Sequence, residues 1–71
     1  MKRGLQHKLA TQADIAPGFL SFLKAGDRNA SAPIADRLAE LTGTDIRVWL
    51  KGGTSEARRA AVEAWAESQQ A

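Results

Sequence analysis

Apolar residues recur along the chain at intervals of three and four residues, the spacing that places them on one side of an α-helix. Five segments have this pattern, at about residues 5–13, 17–25, 32–42, 46–50 and 55–70. The sequence contains no alternating apolar and polar run of the kind expected for a β-strand, and valine occurs at only two positions. The pattern therefore predicts an all-α protein with five helices.

Glycine, proline and small polar residues mark the ends of these helices. Pro17 suits a first helical turn, where its missing N–H has no helical partner. Gly26 and Gly43 follow the second and third helices, at the position where a left-handed backbone commonly ends a helix. The expected N-caps of the last three helices are Ser31, Asp45 and Thr54.

The first two helical segments lie so close together in the sequence that a tight bend must connect them. Asp14 stands at this bend, and aspartate tolerates the left-handed backbone that such a corner needs. Ile15 is expected to fill the corner, and the small Ala10 lets the two helix axes approach each other. Two helices joined near a right angle by a few residues form a helix-turn-helix.

A wider combination of residues extends through the first four predicted helices. It consists of Gln6, Leu9-Ala10, Ile15, Leu20-Ser21 with Leu23, Gly26 followed by DRN, and ADRLAELTGTDIRVWL from position 35. With these residues, positions 5–50 resemble the lambda-repressor-like helix-turn-helix domains, of the phage repressor/Cro or XRE type. Asp14 departs from that family, because it stands where the family has its turn glycine. The resemblance implies a regulator of transcription that binds double-stranded DNA, of the phage or prophage repressor type.

The two ends of the chain also differ from the family pattern. Positions 1–4 leave little room for the helix that ordinarily precedes the helix-turn-helix. We therefore expect residues 1–53 to form the DNA-binding domain with a truncated N-terminal helix, and residues 54–71 to add a C-terminal helix. This helix would close the core or form a dimer seam through Ala57, Ala61, Ala64 and Trp65.

The resemblance places the second helix in the major groove, with its N-terminal residues toward the base edges. The expected DNA-contacting residues are Gln6, Lys8, Pro17, Gly18, Phe19, Ser21, Phe22, Lys24, Arg28 and Asn29. Gln6 matches the family position that grips the sugar-phosphate chain, Ser21 can bond a base or a phosphate, and Phe22 can meet a thymine methyl group. The outward face of the helix offers no Arg, Asn or Gln, so we expect weak direct readout and a larger share of shape readout.

The charge distribution gives a mild preference for a polyanionic partner. The net charge is +2 and the pI is near 9.5. Residues 1–53 carry eight Lys and Arg against five Asp and Glu, whereas residues 54–71 carry two against three. This excess fits either a polyanion site or an ordinary solvated surface, and Arg58 and Arg59 are expected on a solvated face of the last helix.

The inventory of reactive side chains favours a binding protein over an enzyme. The chain has no cysteine and one histidine, His7, and its carboxylates form no catalytic or metal-ligating set. We therefore expect no enzymatic activity, no metal and no cofactor. The sequence has neither an apolar run long enough to span a bilayer nor a secretory leader, so we expect a cytoplasmic protein without a membrane partner.

Double-stranded DNA is the expected partner, and we expect a homodimer on it. One module of this size covers little DNA, and two half-sites about 34 Å apart are the usual remedy. Two alternatives remain open. The chain could be a protein-interaction adaptor on the same scaffold, with Phe19 and Phe22 facing a protein groove. It could also be an antitoxin-type DNA-binding regulator whose C-terminal helix holds a toxin.

Overall fold

The structure, a computed structural model, describes residues 3–70. The four α-helices of this range are α1 (Arg3–Gln12), α2 (Pro17–Ala25), α3 (Ala32–Thr42) and α4 (Ser55–Gln70). A single 3-10 turn, Ile46–Val48, lies between α3 and α4, and the described range contains no strand. None of these helices is long and apolar enough to cross a membrane. The predicted all-α class is confirmed for the described residues.

The predicted fourth helix is the element that differs. Residues 46–50 form only one 3-10 turn, which Asp45 caps by accepting the backbone N–H of Arg47 at 2.9 Å. A longer helix would need the carbonyl of Trp49 for its own ladder. That carbonyl instead accepts the backbone N–H of Ala30 at 3.0 Å, which ties the turn to the loop before α3. The prediction of five helices is therefore wrong at this segment.

The predicted ends of α2, α3 and α4 are confirmed with one exception. Pro17 is the first residue of α2, and Gly26 and Gly43 take left-handed φ values of 82° and 69° after α2 and α3. The hydroxyl of Thr54 accepts the backbone N–H three residues further on at 3.1 Å and caps α4. Ser31 occupies the N-cap position of α3, but its side chain makes no capping hydrogen bond there.

The core lies where all four helices and the 3-10 turn meet. Its large, fully buried apolar side chains are Leu9, Leu20, Leu23, Leu38, Trp49 and Val62. The indole N–H of Trp49 donates to the hydroxyl of Thr44 at 3.2 Å, so the buried ring has a partner for its polar group. Helix α4 packs against α1, α2 and α3 of its own chain. The C-terminal helix therefore closes the core within the chain.

The buried face of α4 is rotated from the predicted one. Ala61 and Trp65 are buried as predicted, but Ala57 is only half-buried and Ala64 is exposed. The residues of α4 that are buried are Arg58, Ala61, Val62, Trp65 and Ala66. This set follows the spacing of a helix that packs on one side. Alanine is tolerated on either side of a helix, so the alanines alone do not define which side is buried.

Candidate functional site

The bend between α1 and α2 sets the geometry of the candidate site. Asp14 has a φ of 61°, which confirms the left-handed corner predicted from the sequence. The backbone N–H of Ile15 donates to the carbonyl of Ala10 at 2.9 Å, and the Ile15 side chain packs half-buried against the core. The corner therefore joins α1 and α2 by a few residues, and the two helices contact each other.

An open groove lies where the N-terminal parts of α1 and α2 come together. Its volume is about 620 Å³. Its lining residues are Gly4, Gln6, His7, Pro17, Gly18 and Ser21. Four of the ten residues that the sequence predicts to contact DNA line this groove, which the fold assembles from two separate segments.

A chain of side-chain hydrogen bonds joins the two helices beside the groove. The Nζ of Lys24 donates to Oε1 of Gln6 at 2.7 Å, and Nε2 of Gln6 donates to Oγ of Ser21 at 3.0 Å. The Ser21 hydroxyl donates in turn to the carbonyl of Pro17 at 3.3 Å, within α2. We call these three side chains the Gln6–Ser21–Lys24 network. The sequence singled out each member, but not their contact.

Lys24 fixes the orientation of the Gln6 amide. A lysine ammonium group has donors and no acceptor, so the atom of Gln6 that faces it must be the carbonyl oxygen. The NH₂ group must then face Ser21. Burial lowers the pKa of Lys24 below its usual value, while Glu63 raises it and Arg59 lowers it further. Lys24 therefore bonds Gln6 and also feels the charges of two side chains of α4, Glu63 and Arg59.

The two phenylalanines of α2 have different surroundings. Phe22 is 48% exposed, and the guanidinium carbon of Arg28 lies 5.6 Å from the centre of its ring, in a cation–π contact. Phe19 is partly buried and packs against the core. The two residues therefore differ in exposure, and Phe22 is the more accessible of the two.

The remaining predicted contact residues are placed unequally. Lys8 is exposed on α1. Asn29 is exposed as a whole, but its Oδ1 already accepts Nη2 of Arg58 at 3.0 Å. The carbonyl oxygen of Arg28 accepts a second nitrogen of the same guanidinium at 2.9 Å. The buried Arg58 therefore holds the loop after α2 through these two hydrogen bonds, while the Arg28 side chain is exposed.

Arg58 is the polar side chain whose position differs most from the sequence-based prediction. It was expected on a solvated face, yet it is 0% exposed. Its guanidinium donates to carbonyl oxygens of α2, of the loop after α2 and of the segment before α4, and to one side-chain amide. The acceptors are Leu23 O, Arg28 O, Val48 O, Leu50 O and Asn29 Oδ1, at 2.8 to 3.0 Å.

These bonds surround the Arg58 guanidinium with backbone oxygens instead of a carboxylate. Neither of the two salt bridges among the described residues involves Arg58. Burial lowers its pKa from the usual arginine value. One signal in the sequence could have found this position, because Arg58 lies three, four and seven residues before Ala61, Val62 and Trp65 and so falls on their stripe.

The described residues contain no cluster of three or more His, Cys, Asp or Glu side chains arranged to hold a metal ion. The chain was compared with protein-family models, with curated proteins and with solved structures, and none of these comparisons gives a match. The proposals below therefore draw on the residues and their geometry.

Proposed function

We propose that this chain is a helix-turn-helix protein of the lambda-repressor-like type that binds double-stranded DNA and regulates transcription. The observation that carries the proposal is the position of α2. Leu20 and Leu23 hold it on the core, while Pro17, Gly18 and Ser21 stay exposed along the groove shared with α1. A helix held in this way has a free face for the major groove.

The positive side chains near α2 support the same proposal. Lys24 lies beside the groove, Arg28 lies on the loop after α2, and Lys8 is exposed on α1. Lysine and arginine contacts to phosphates position a protein on the duplex without reading its sequence. We assign these three residues to the phosphate backbone. If four to six phosphates are neutralised, the log–log slope of affinity against salt should be about −4 to −5.

The exposed apolar surface is small, which favours DNA over the adaptor function. Phe22 is the one large hydrophobic side chain counted as exposed among the described residues. A single exposed aromatic side chain is ordinary on a protein surface, whereas a docking patch needs several neighbours. We include homodimerisation in the proposal, on a surface other than the α4 face that Trp65 buries within its own chain.

The test is the salt dependence of duplex binding by the full chain and by Arg28→Gln. Fluorescence anisotropy with a labelled duplex of random sequence, at several salt concentrations, measures the affinity and the slope. We expect Arg28→Gln to weaken binding similarly on all sequences and to reduce the magnitude of the slope by about 1 for each bound protomer, or about 2 for a homodimer, because each protomer loses one phosphate contact.

Lys51→Gln is the matched control, because it removes one positive charge from an exposed residue that is not among those predicted to contact DNA. It should leave the slope nearly unchanged. Equal effects of the two variants would mean that net charge alone attracts DNA. Binding that is weak and independent of salt would reject the proposal and favour a protein partner.

A further inference from the structure

We propose that Gln6 and Ser21 together read an adenine base through its major-groove edge, with Lys24 setting the polarity of the pair. This inference rests on the proposed function, and it gives Ser21 the acceptor role that the Gln6 carbonyl oxygen cannot take while Lys24 occupies it.

Each member of the pair has a limited set of donors and acceptors. The Gln6 amide has one carbonyl oxygen and an NH₂ group with two donors, and the Ser21 hydroxyl has one donor and two lone pairs. Lys24 occupies the amide oxygen at 2.7 Å, and one amide hydrogen points to Ser21 at 3.0 Å. The Ser21 proton is directed to the carbonyl of Pro17 at 3.3 Å.

The groups left over are one N–H of Gln6 and one lone pair of Ser21. They belong to atoms 3.0 Å apart, and both residues line the open groove between α1 and α2. The pair therefore presents a donor and an acceptor side by side to whatever enters the groove. Since Lys24 prevents the amide from turning over, this order cannot be reversed without losing the bond to Lys24.

Adenine carries the complement of this arrangement in the major groove. It presents N7 as an acceptor beside the N6 amino group as a donor. Guanine presents two acceptors, N7 and O6, so its O6 would face the lone pair of Ser21. Cytosine offers the N4 amino donor and thymine the O4 acceptor, and each can satisfy only one member of the pair. Among single bases, adenine alone satisfies both.

This inference changes the expectation of weak direct readout. No single outward-facing residue of α2 is an Arg, Asn or Gln, so none can make two hydrogen bonds to one base. The structure brings a glutamine from α1 to a serine of α2, fifteen positions away in the chain. Two ordinary side chains on different helices then make a bidentate reader that a scan of one helix cannot find.

The test begins with selection of bound duplexes from a randomised pool by the full-length chain. At each preferred adenine, the base is then replaced by purine, which lacks the amino group, or by 7-deazaadenine, which lacks the N7 acceptor. For the wild-type protein we expect each analogue, at one position of the site, to weaken binding by about fivefold to tenfold.

The variants assign the two contacts separately. Ser21→Ala should lose its sensitivity to purine but keep its sensitivity to 7-deazaadenine. Lys24→Met should lower the ratio of the affinities for adenine and for 7-deazaadenine at that position, because the Gln6 amide is then free to turn over and no longer holds a donor toward N7. This ratio is independent of the general loss of affinity that removing a lysine causes. Ser68→Ala is the matched control, because the Ser68 hydroxyl also bonds a carbonyl of its own helix, at 2.7 Å, but on α4.

Two results would overturn the inference and are distinguishable from each other. If duplexes are selected but purine substitution leaves wild-type binding unchanged, or Ser21→Ala leaves the base preferences unchanged, then the chain binds DNA and the pair does not read adenine. If the chain retains no duplex even at low salt, the proposed function fails and the inference fails with it.

Discussion

Two polar networks join helices in this protein, one buried around Arg58 and one open around Gln6. The guanidinium of Arg58 makes five hydrogen bonds, and its residue is 0% exposed. The Gln6–Ser21–Lys24 network makes three, beside an open groove, and Ser21 is exposed. In the first network, the guanidinium donors are all hydrogen-bonded within the protein. In the second, one N–H of Gln6 and one lone pair of Ser21 remain available to a ligand.

The difference follows from the cost of burying polar groups. Leaving a buried donor or acceptor without a partner costs about 1–3 kcal/mol of folding stability. Every polar group in a buried network therefore needs a partner within the protein. An exposed network can exchange its partners with water, and so it can also exchange them with a ligand. Stability should therefore depend on the Arg58 network, and binding on the Gln6–Ser21–Lys24 network.

The most direct way to break this comparison is Arg58→Met, for which we expect the largest effect. Methionine fills part of the space but donates to none of the five acceptors, so carbonyls such as Val48 O lose the hydrogen bond from Arg58. We expect a loss of about 3 kcal/mol or more in the free energy of unfolding. A domain of this size has a total of only about 4–10 kcal/mol. Urea denaturation followed by circular dichroism measures the loss.

Arg59→Met is the control for that variant, because Arg59 is the exposed neighbour on the same helix. It should change the free energy of unfolding by no more than about 0.5 kcal/mol. Arg58→Lys should lie between the two, since an ammonium group has only three donors for the same acceptors. Similar stability of the Arg58 and Arg59 variants would remove the distinction between the two networks.

The open network should respond to substitution with a much smaller change in stability. Ser21→Ala removes an exposed hydroxyl, and water can take the place of the lost partner of Gln6. We expect the free energy of unfolding to change by no more than about 0.5 kcal/mol, measured by the same urea denaturation. A loss as large as that of Arg58→Met would show that this network also holds the fold together, and Ser21→Ala could then no longer isolate a binding effect.

The sequence predicted the backbone corners better than the side-chain partners. The left-handed backbone positions could be predicted from residue type alone, because this conformation favours few residues. They include Asp14, Gly26 and Gly43. The short turn at 46–48 is not predicted, since its apolar residues follow a helical spacing while the bond between the Trp49 carbonyl and Ala30 joins it to a distant loop. Local propensity decides the first kind of feature and tertiary contacts decide the second.

The candidate site shows the same division. Single residues such as Gln6, Ser21 and Lys24 could be named from their positions in the pattern. Their hydrogen bonds could not, because Gln6 and Lys24 are eighteen positions apart and meet only through the packing of α1 on α2. The burial of Arg58 runs against the usual exposure of arginine, and its acceptors are contributed by distant parts of the chain.

The smallest expected effect concerns Asp45, which caps the 3-10 turn beside the Arg58 network. The side chain of Arg47, and then its backbone N–H, hold the pKa of Asp45 at about 2, below the ordinary 3.8. Because the folded pKa is the lower one, this carboxylate stabilises the fold above about pH 4, and its contribution is lost as the pH falls from about 4 toward 2. The group is exposed, so the change should be slight.

Asp45→Asn should make the thermal unfolding midpoint fall less steeply between pH 4 and pH 2 than in the wild type, with Asp36→Asn as the control for removal of one exposed aspartate. The same experiment probes how the turn is held. Val48 O and Leu50 O, within and just after the turn, are acceptors of Arg58. If the wild-type and Asp45→Asn midpoints fall in parallel, the cap contributes nothing measurable, and the backbone hydrogen bonds of the turn together with the buried guanidinium keep it in place.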